Sequence, residues 1–276
     1  MSIKFGCHTS TWVLDYDKEV DVIDHIIDVV SNSGFKGLDI QAPLLGKYKD
    51  NPELFKEKLE SKGVELAAIT VPFNWDGDEE SIEEKEKADF YIDFLKNFPG
   101  AIMNLPSRVG PNRDNLLVRQ KQIIKSANAV GKRAFNNGVI ASFHPASPQT
   151  SYFRTADDYK VLFEGLDTDY IGYTPDCGHI KAGGMEPFDI VKDNLSIIRH
   201  VHFKDCSNKY EWKKMGTGDI DYPAIVQFLY NNGYNGWIMV EEETEETKTN
   251  PDGCIHNIYK YFEENVIPIV KGVKQS

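Results

Sequence analysis

Eight times along the chain a short apolar run gives way to a stretch with apolar residues at helical spacing, and this recurrence limits the fold more than any other feature. Strands are predicted over 3–9, 37–41, 64–71, 101–105, 139–144, 170–176, 199–205 and 237–241. Helices are predicted over 20–30, from Asn51-Pro52 to Lys62-Gly63, from Ser81 onward, over 115–135, from Thr155 to near Leu166, and over 188–198, 223–231 and 255–270. Some carry their own start signals. Asn51 is a good cap with Pro52 in first position, and Ser81 with Glu84 forms a capping box. Eight strand–helix units in 276 residues match the pattern and size of an α/β (β/α)8 TIM barrel, with 1–276 as a single domain. A doubly wound open sheet is the alternative. It needs a glycine-rich phosphate turn after the first strand, and Cys7-His8-Thr9-Ser10-Thr11-Trp12 supplies none.

Side chains alternate along a strand, so each strand has one face for the helices and one for the barrel interior. On the seventh strand His200, His202 and Lys204 share a face opposite Val201, Phe203 and Asp205. Two imidazoles and an ammonium are costly to bury unless something binds them. The same rule groups Ile140, Ser142 and His144, then Gly172, Thr174 and Asp176, then Trp237, Met239, Glu241 and Glu243. It also turns His8, Asp39, Gln41 and Asn104 inward at the mouth. The last inward polar residues of strands five to eight are His144, Asp176, His202 and Glu241. Successive ones are about one βα unit, roughly 30 residues, apart. Two imidazoles and two carboxylates at one level are a normal set for zinc, manganese, cobalt or iron. Each residue alone has a plainer reading: a hydrogen-bonded histidine, a turn cap at Asp176, a solvated strand end at Glu241-Glu242-Glu243. The shared level and shared face favour a metal.

Composition excludes some partners. The net charge of -12, from 31 basic against 43 acidic residues, argues against nucleic acid, whose backbone needs a basic surface. Four cysteines without C-x-x-C spacing fit reduced thiols in a cytoplasm. Neither an apolar leader nor a run of about 18 apolar residues is present, so a cytoplasmic protein without a membrane partner is expected. A homo-oligomer is left open.

Four segments carry a family resemblance. Thr174-Pro175-Asp176-Cys177-Gly178-His179 resembles the D-T-G-H motif after strand six of the xylose isomerase-like barrels. His200-Val201-His202-Phe203-Lys204-Asp205 is similar to their H-V-H-L-K-D strand. Gly216-Thr217-Gly218-Asp219-Ile220-Asp221-Tyr222-Pro223 resembles the G-x-G-x-I-D-F segment, and Gly233 to Glu241 the G-Y-x-G-W-x-x-V-E ending. That superfamily holds sugar isomerases, epimerases, inosose (keto-inositol) dehydratases and AP endonucleases. The resemblance implies a divalent metal (Mn, Co, Zn or Mg) on Asp176, His202 and Glu241. His144 stands where many members place a glutamate. Its surroundings, Phe143-His144-Pro145-Ala146, resemble the H-P-H variant of inosose-dehydratase-like members, with Ala146 for the second histidine.

The implied chemistry is proton removal beside a metal-bound carbonyl of a small sugar or cyclitol. Glu241, Glu243, His179 and Lys204 are the expected catalytic residues. His8, Trp12, Asn104, Lys204 and Asp205 are expected to contact substrate. The outcome is a sugar isomerase or epimerase, or an inosose dehydratase-type lyase by the same enolisation. A decayed sugar-binding barrel is the non-enzymatic alternative. Arg108, Arg113 and Lys181 fall on loops, but no basic cluster at the mouth demands a phosphorylated substrate.

Overall fold

A computed structural model describes residues 3–15 and 17–272. Eight parallel strands form one curled sheet: β1 (Lys4–His8), β2 (Gly37–Gln41), β3 (Glu65–Thr70), β4 (Ile102–Pro106), β5 (Ile140–His144), β6 (Ile171–Tyr173), β7 (Val201–Phe203) and β8 (Trp237–Val240). The order is β6-β5-β4-β3-β2-β1-β8-β7, so β6 and β7 are the two edges. Two isolated parallel bridges, Tyr173 with Ile198 and Asp176 with His202, join those edges and close the barrel. This is the expected (β/α)8 architecture.

The helices follow their strands: α1 (Ile23–Ser33), α2 (Pro52–Ser61), α3 (Ile82–Leu95), α4 (Leu116–Asn136), α5 (Ala156–Gly165), α6 (Cys177–Ala182), α7 (Pro187–Asp193), α8 (Tyr222–Asn231), α9 (Pro251–Asn265) and α10 (Ile267–Val270). The predicted caps are present. Asn51 accepts from the Leu54 amide at 3.0 Å, and Ser81 and Glu84 close a reciprocal box. The differences have local causes. Strands six and seven are three residues each, shorter than predicted. Pro175 has no N–H to give a ladder, so pairing beyond Tyr173 survives only as isolated bonds such as His202 N–H to the Pro175 carbonyl at 2.8 Å. The predicted closing helix is broken at Val266, just before Pro268. The short helix α6 was not predicted. It packs so tightly on the end of β7 that a Cβ at Gly178 would collide with the Lys204 carbonyl.

Two apolar compartments result. The large one lies between strands and helices and includes Leu38, Ile40, Phe143, Val201, Phe203, Ile238 and Val240. A small inner plug of Ala67, Trp237 and Met239 fills the barrel floor. Above it the interior turns polar. Thr70 donates to Asp39 Oδ1 at 2.8 Å, Asn104 donates to Thr70 at 3.2 Å, and Thr174 donates to Ser142 at 2.7 Å. Among the described residues, no helix is long and apolar enough to cross a membrane.

Candidate active site

Strand alternation delivers the expected ligands to the C-terminal mouth of β5 to β8. His144, Asp176, His202 and Glu241 are all at most 4% exposed. His144 Nε2 lies 3.6 Å from Asp176 Oδ2, and His202 Nδ1 lies 3.8 Å from Glu241 Oε1. Donor atoms of His144, Asp176 and His202 fall within 4.8 Å of one another, and so do those of His8, His202 and Glu241. Neighbouring ligands of one ion at ~2.1 Å stand roughly 3.0–3.4 Å apart, so these pairs need only a small contraction. His144 Nε2, Asp176 Oδ2 and His202 Nδ1 are buried with no hydrogen-bond partner among the described residues. Buried polar atoms are rarely left so, and three facing one another fit a cation.

The opposite side of each ligand is anchored. Asp176 splits its oxygens: Oδ1 caps α6 by accepting from the His179 amide at 2.8 Å, while Oδ2 faces the cluster. The cap reading and the ligand reading therefore apply to different atoms. His202 Nε2 lies 3.0 Å from Asp39 Oδ2, which fixes the proton on Nε2 and turns the Nδ1 lone pair to the cluster. His200 Nε2 meets the same oxygen at 3.0 Å, one step deeper, in a structural role. Glu241 Oε2 is held by His8 Nδ1 at 3.0 Å and by the Ser10 hydroxyl.

Burial and charge set the protonation. Burial would lower the His202 pKa, but Asp39 and Glu241 beside it outweigh that and raise it to about 10. A ligand role therefore needs that proton displaced. Burial pushes His200 down to about 4. Burial, then Lys204, pushes His179 down to about 3. Burial lowers His144 as well. Desolvation opposes the charged forms of Asp176 and Glu241, yet Lys204 foremost holds both carboxyls below their usual range.

Lys204 sits at the centre of this charge. Its Nζ lies 2.6 Å from Glu243, 3.1 Å from Glu241 and 3.6 Å from Asp176, under the Trp212 ring at 4.7 Å. Three carboxylates overcome burial and keep it an ammonium. An ammonium only donates, so His179 Nε2, 3.0 Å away, accepts and its Nδ1–H donates to Ser147 Oγ at 2.8 Å. Glu243 behaves differently. Burial raises its pKa, only partly offset by Lys204, and its side chain keeps 18% exposure.

Over this cluster lies a cavity of ≈ 520 Å³ whose wall includes His144, His179 and Glu243. The five predicted substrate contacts are not on that wall. His8 is taken up by Glu241, and Asn104 by Thr70. Trp12 donates its indole N–H to Asp252 at 2.7 Å. Asp205 accepts from the amides of Cys206, Gly216 and Gly218 at 2.8, 2.8 and 3.0 Å, so it organises the loop after β7. Lys204 stands behind Glu243 and His179. Alternation assigns a face but not a depth, and these residues sit below or beside the cavity. The wall comes instead from loops after β3, β4 and β5, including Asn74, Ser107, Arg108 and Tyr152, and from Arg119 in the first turn of α4. Arg113 is spent on buried Asp158 at 2.7 Å, and Lys181 on Glu186 at 2.9 Å. Asp39 and Trp212 are the main contributors that sequence reasoning did not give a role.

Comparisons agree with this geometry. The model of the xylose isomerase-like TIM barrel family matches residues 27–258. An inosose dehydratase of Clostridium tetani is 24% identical over 95% of this chain and 97% of its own. The inosose dehydratase of Salmonella typhimurium is 22% identical over 91% and 92%. Among solved structures, D-psicose 3-epimerase from Clostridium cellulolyticum superposes with a TM-score of 0.74 at 17% identity, over 96% of this chain and 99% of that one. The IolI protein, solved with a zinc atom, gives 0.73 at 14% identity, over 99% and 100%. On the family match over most of its length, the chain belongs to the xylose isomerase-like TIM barrel family.

Proposed function

We propose that the protein is a divalent-metal-dependent enzyme that enolises a keto-inositol or keto sugar and completes the reaction by loss of water. The observation that carries this reading is the convergence of three donor atoms without a hydrogen bond among the described residues, on His144, Asp176 and His202, beside a cavity that also holds Glu243. A metal on His144, Asp176, His202 and Glu241 would supply Lewis-acid polarisation of the substrate carbonyl. By donor type, zinc, manganese, cobalt and iron suit this set better than magnesium.

Glu243 is the proton acceptor. It reaches the cavity, and its raised pKa brings it toward the operating range of a general base. The α C–H bond breaks and Glu243 takes the proton. The same carboxyl then returns it to the β-hydroxyl as the β C–O bond breaks, and water leaves. Neutral His179, held by Ser147 and Lys204, walls the cavity beside Glu243. Lys204 positions Glu243 and His179 from behind. The relatives named inosose dehydratase match over nearly the whole chain and favour the lyase outcome.

The test is NMR in D2O with metal-loaded protein over a panel of inososes and ketoses. An enone product supports the lyase. Deuterium incorporation without water loss supports an isomerase or epimerase instead. No bound metal, no exchange and no change in Glu241→Gln would leave a sugar-binding barrel.

A further inference from the structure

The turn after β1 carries three hydroxyls in a row, and all three are buried. Thr9, Ser10 and Thr11 are at most 3% exposed, although serine and threonine are mostly surface residues. Each hydroxyl is engaged by a different element. Thr9 Oγ1 accepts from the Gln41 amide at the end of β2, at 3.0 Å. Thr11 Oγ1 accepts from the Glu242 amide just past β8, at 3.0 Å. These strands flank β1 on its two sides, so the threonines pin the turn across both seams. Ser10, between them, donates to a side chain, at Glu241 Oε2.

A serine, a histidine and a glutamate in contact invite a nucleophilic reading, and the geometry rejects it. In such a triad the histidine uses one ring nitrogen for the serine and the other for the carboxylate. Here Ser10 Oγ and Glu241 Oε2 both meet His8 Nδ1, at 2.7 and 3.0 Å. The Ser10 hydroxyl donates to the carboxylate itself, and Ser10 is off the cavity wall.

What the contact does is divide Glu241. Its Oε2 is taken by Ser10 and His8, while Oε1 faces His202 Nδ1 at 3.8 Å and Lys204 Nζ at 3.1 Å. Asp176 is divided in the same way, with Oδ1 on the His179 amide. Both carboxylates of the proposed ligand set therefore present one oxygen each. Zinc sites are built from few protein atoms, commonly one per ligand. Ions that favour oxygen and fuller coordination gain from a carboxylate that offers both.

We infer that Ser10 is a positioning residue for the metal: its hydroxyl holds Glu241 to one free oxygen and so tilts the site toward zinc over oxygen-seeking ions such as manganese. This rests on the metal reading of the cluster.

The test titrates the full-length metal-free protein with zinc or manganese in competition with a chelator. Ser10→Ala removes the hydroxyl and little else. It is expected to weaken zinc by roughly 10–100-fold, as for other groups that orient a ligand, and manganese by about threefold or less. The zinc-to-manganese affinity ratio then falls about tenfold. Ser10→Gly also lacks the hydroxyl and gives the same fall, should the alanine variant not fold. Thr9→Val is the control: it cuts the neighbouring bond to β2 and should lower Tm with the ratio unchanged. A merely structural Ser10 would weaken both ions alike. A ratio that stays at the parent value in the Ser10 variants, or falls equally in Thr9→Val, overturns this inference and leaves the metal reading standing. A parent protein that binds neither ion overturns both.

Discussion

The two halves of the barrel do different work. From β5 to β8 the strand ends carry the charge: His144, Asp176, His202, Lys204 and Glu241 lie within one buried cluster. From β1 to β4 the interior is quieter. Asn104 donates to Thr70 and Thr70 to Asp39, and the loops beyond supply most of the cavity wall. One half holds the proposed reacting groups and the other supplies shape and support. A barrel built from equivalent units can therefore change substrate by altering loops on one side while the ligand set on the other is left alone.

The largest effect should follow from striking the charged half. Glu241→Gln is expected to lower enolisation about 10³-fold or more and to release metal, read by exchange rate and by elemental analysis. The matching change in the quiet half, Asn104→Ala, should cost stability and leave metal content intact. If it abolishes exchange with metal retained, the division of labour is wrong. Glu243→Gln sharpens the division within the charged half. A loss of about 10²–10⁴-fold in kcat, the range for a general base, should occur with metal content unchanged.

Asp39, like His8 and Ser10, crosses between the halves. Asp39→Asn should weaken metal binding by roughly 10–100-fold through loss of His202 orientation, measured by competition with a chelator. A metal affinity within twofold of the parent would show that Asp39 serves the fold alone.

The pH dependence of the metal-free protein has two arms. His202, raised to about 10, contributes stability present below its unfolded value near ~6.5 and lost as pH rises through about 10. His200, depressed to about 4, contributes stability present above ~6.5 and lost as pH falls through about 4. Metal needs neutral His202, so added ion should restore the alkaline arm first. At a hundredfold excess over Kd the gain is about 2.7 kcal/mol, or roughly 5–10 °C in Tm for a chain of this size. Calorimetry at several pH values checks both arms. The smallest effect is expected at Trp12→Phe, which loses the bond to Asp252. About 1 kcal/mol of stability should go, with kinetics unchanged, because the indole is not on the cavity wall.

Much of this was legible in the sequence because a period of two is hard to disguise. Trp237, Met239 and Glu241 fall on one face whatever surrounds them, and the polar ends of β5 to β8 come to one level once eight units are counted. The bond between Asp39 and His202 was not legible, since it joins residues 163 positions apart across the barrel. The cavity wall was not legible for another reason. Asn74, Ser107 and Tyr152 lie in loops, where no periodicity says which side chain points inward. Asp205 shows the limit of motif reading: it lies in a matched motif, yet its carboxylate holds backbone amides of the following loop.

The divided carboxylate of Asp176 makes helix α6 a listener at the site. One oxygen grips the first turn of that helix through the His179 amide, and the other looks into the cluster. Any ion that draws on the second oxygen is felt by the first. The His179 amide proton would then report occupancy through its chemical shift and exchange rate.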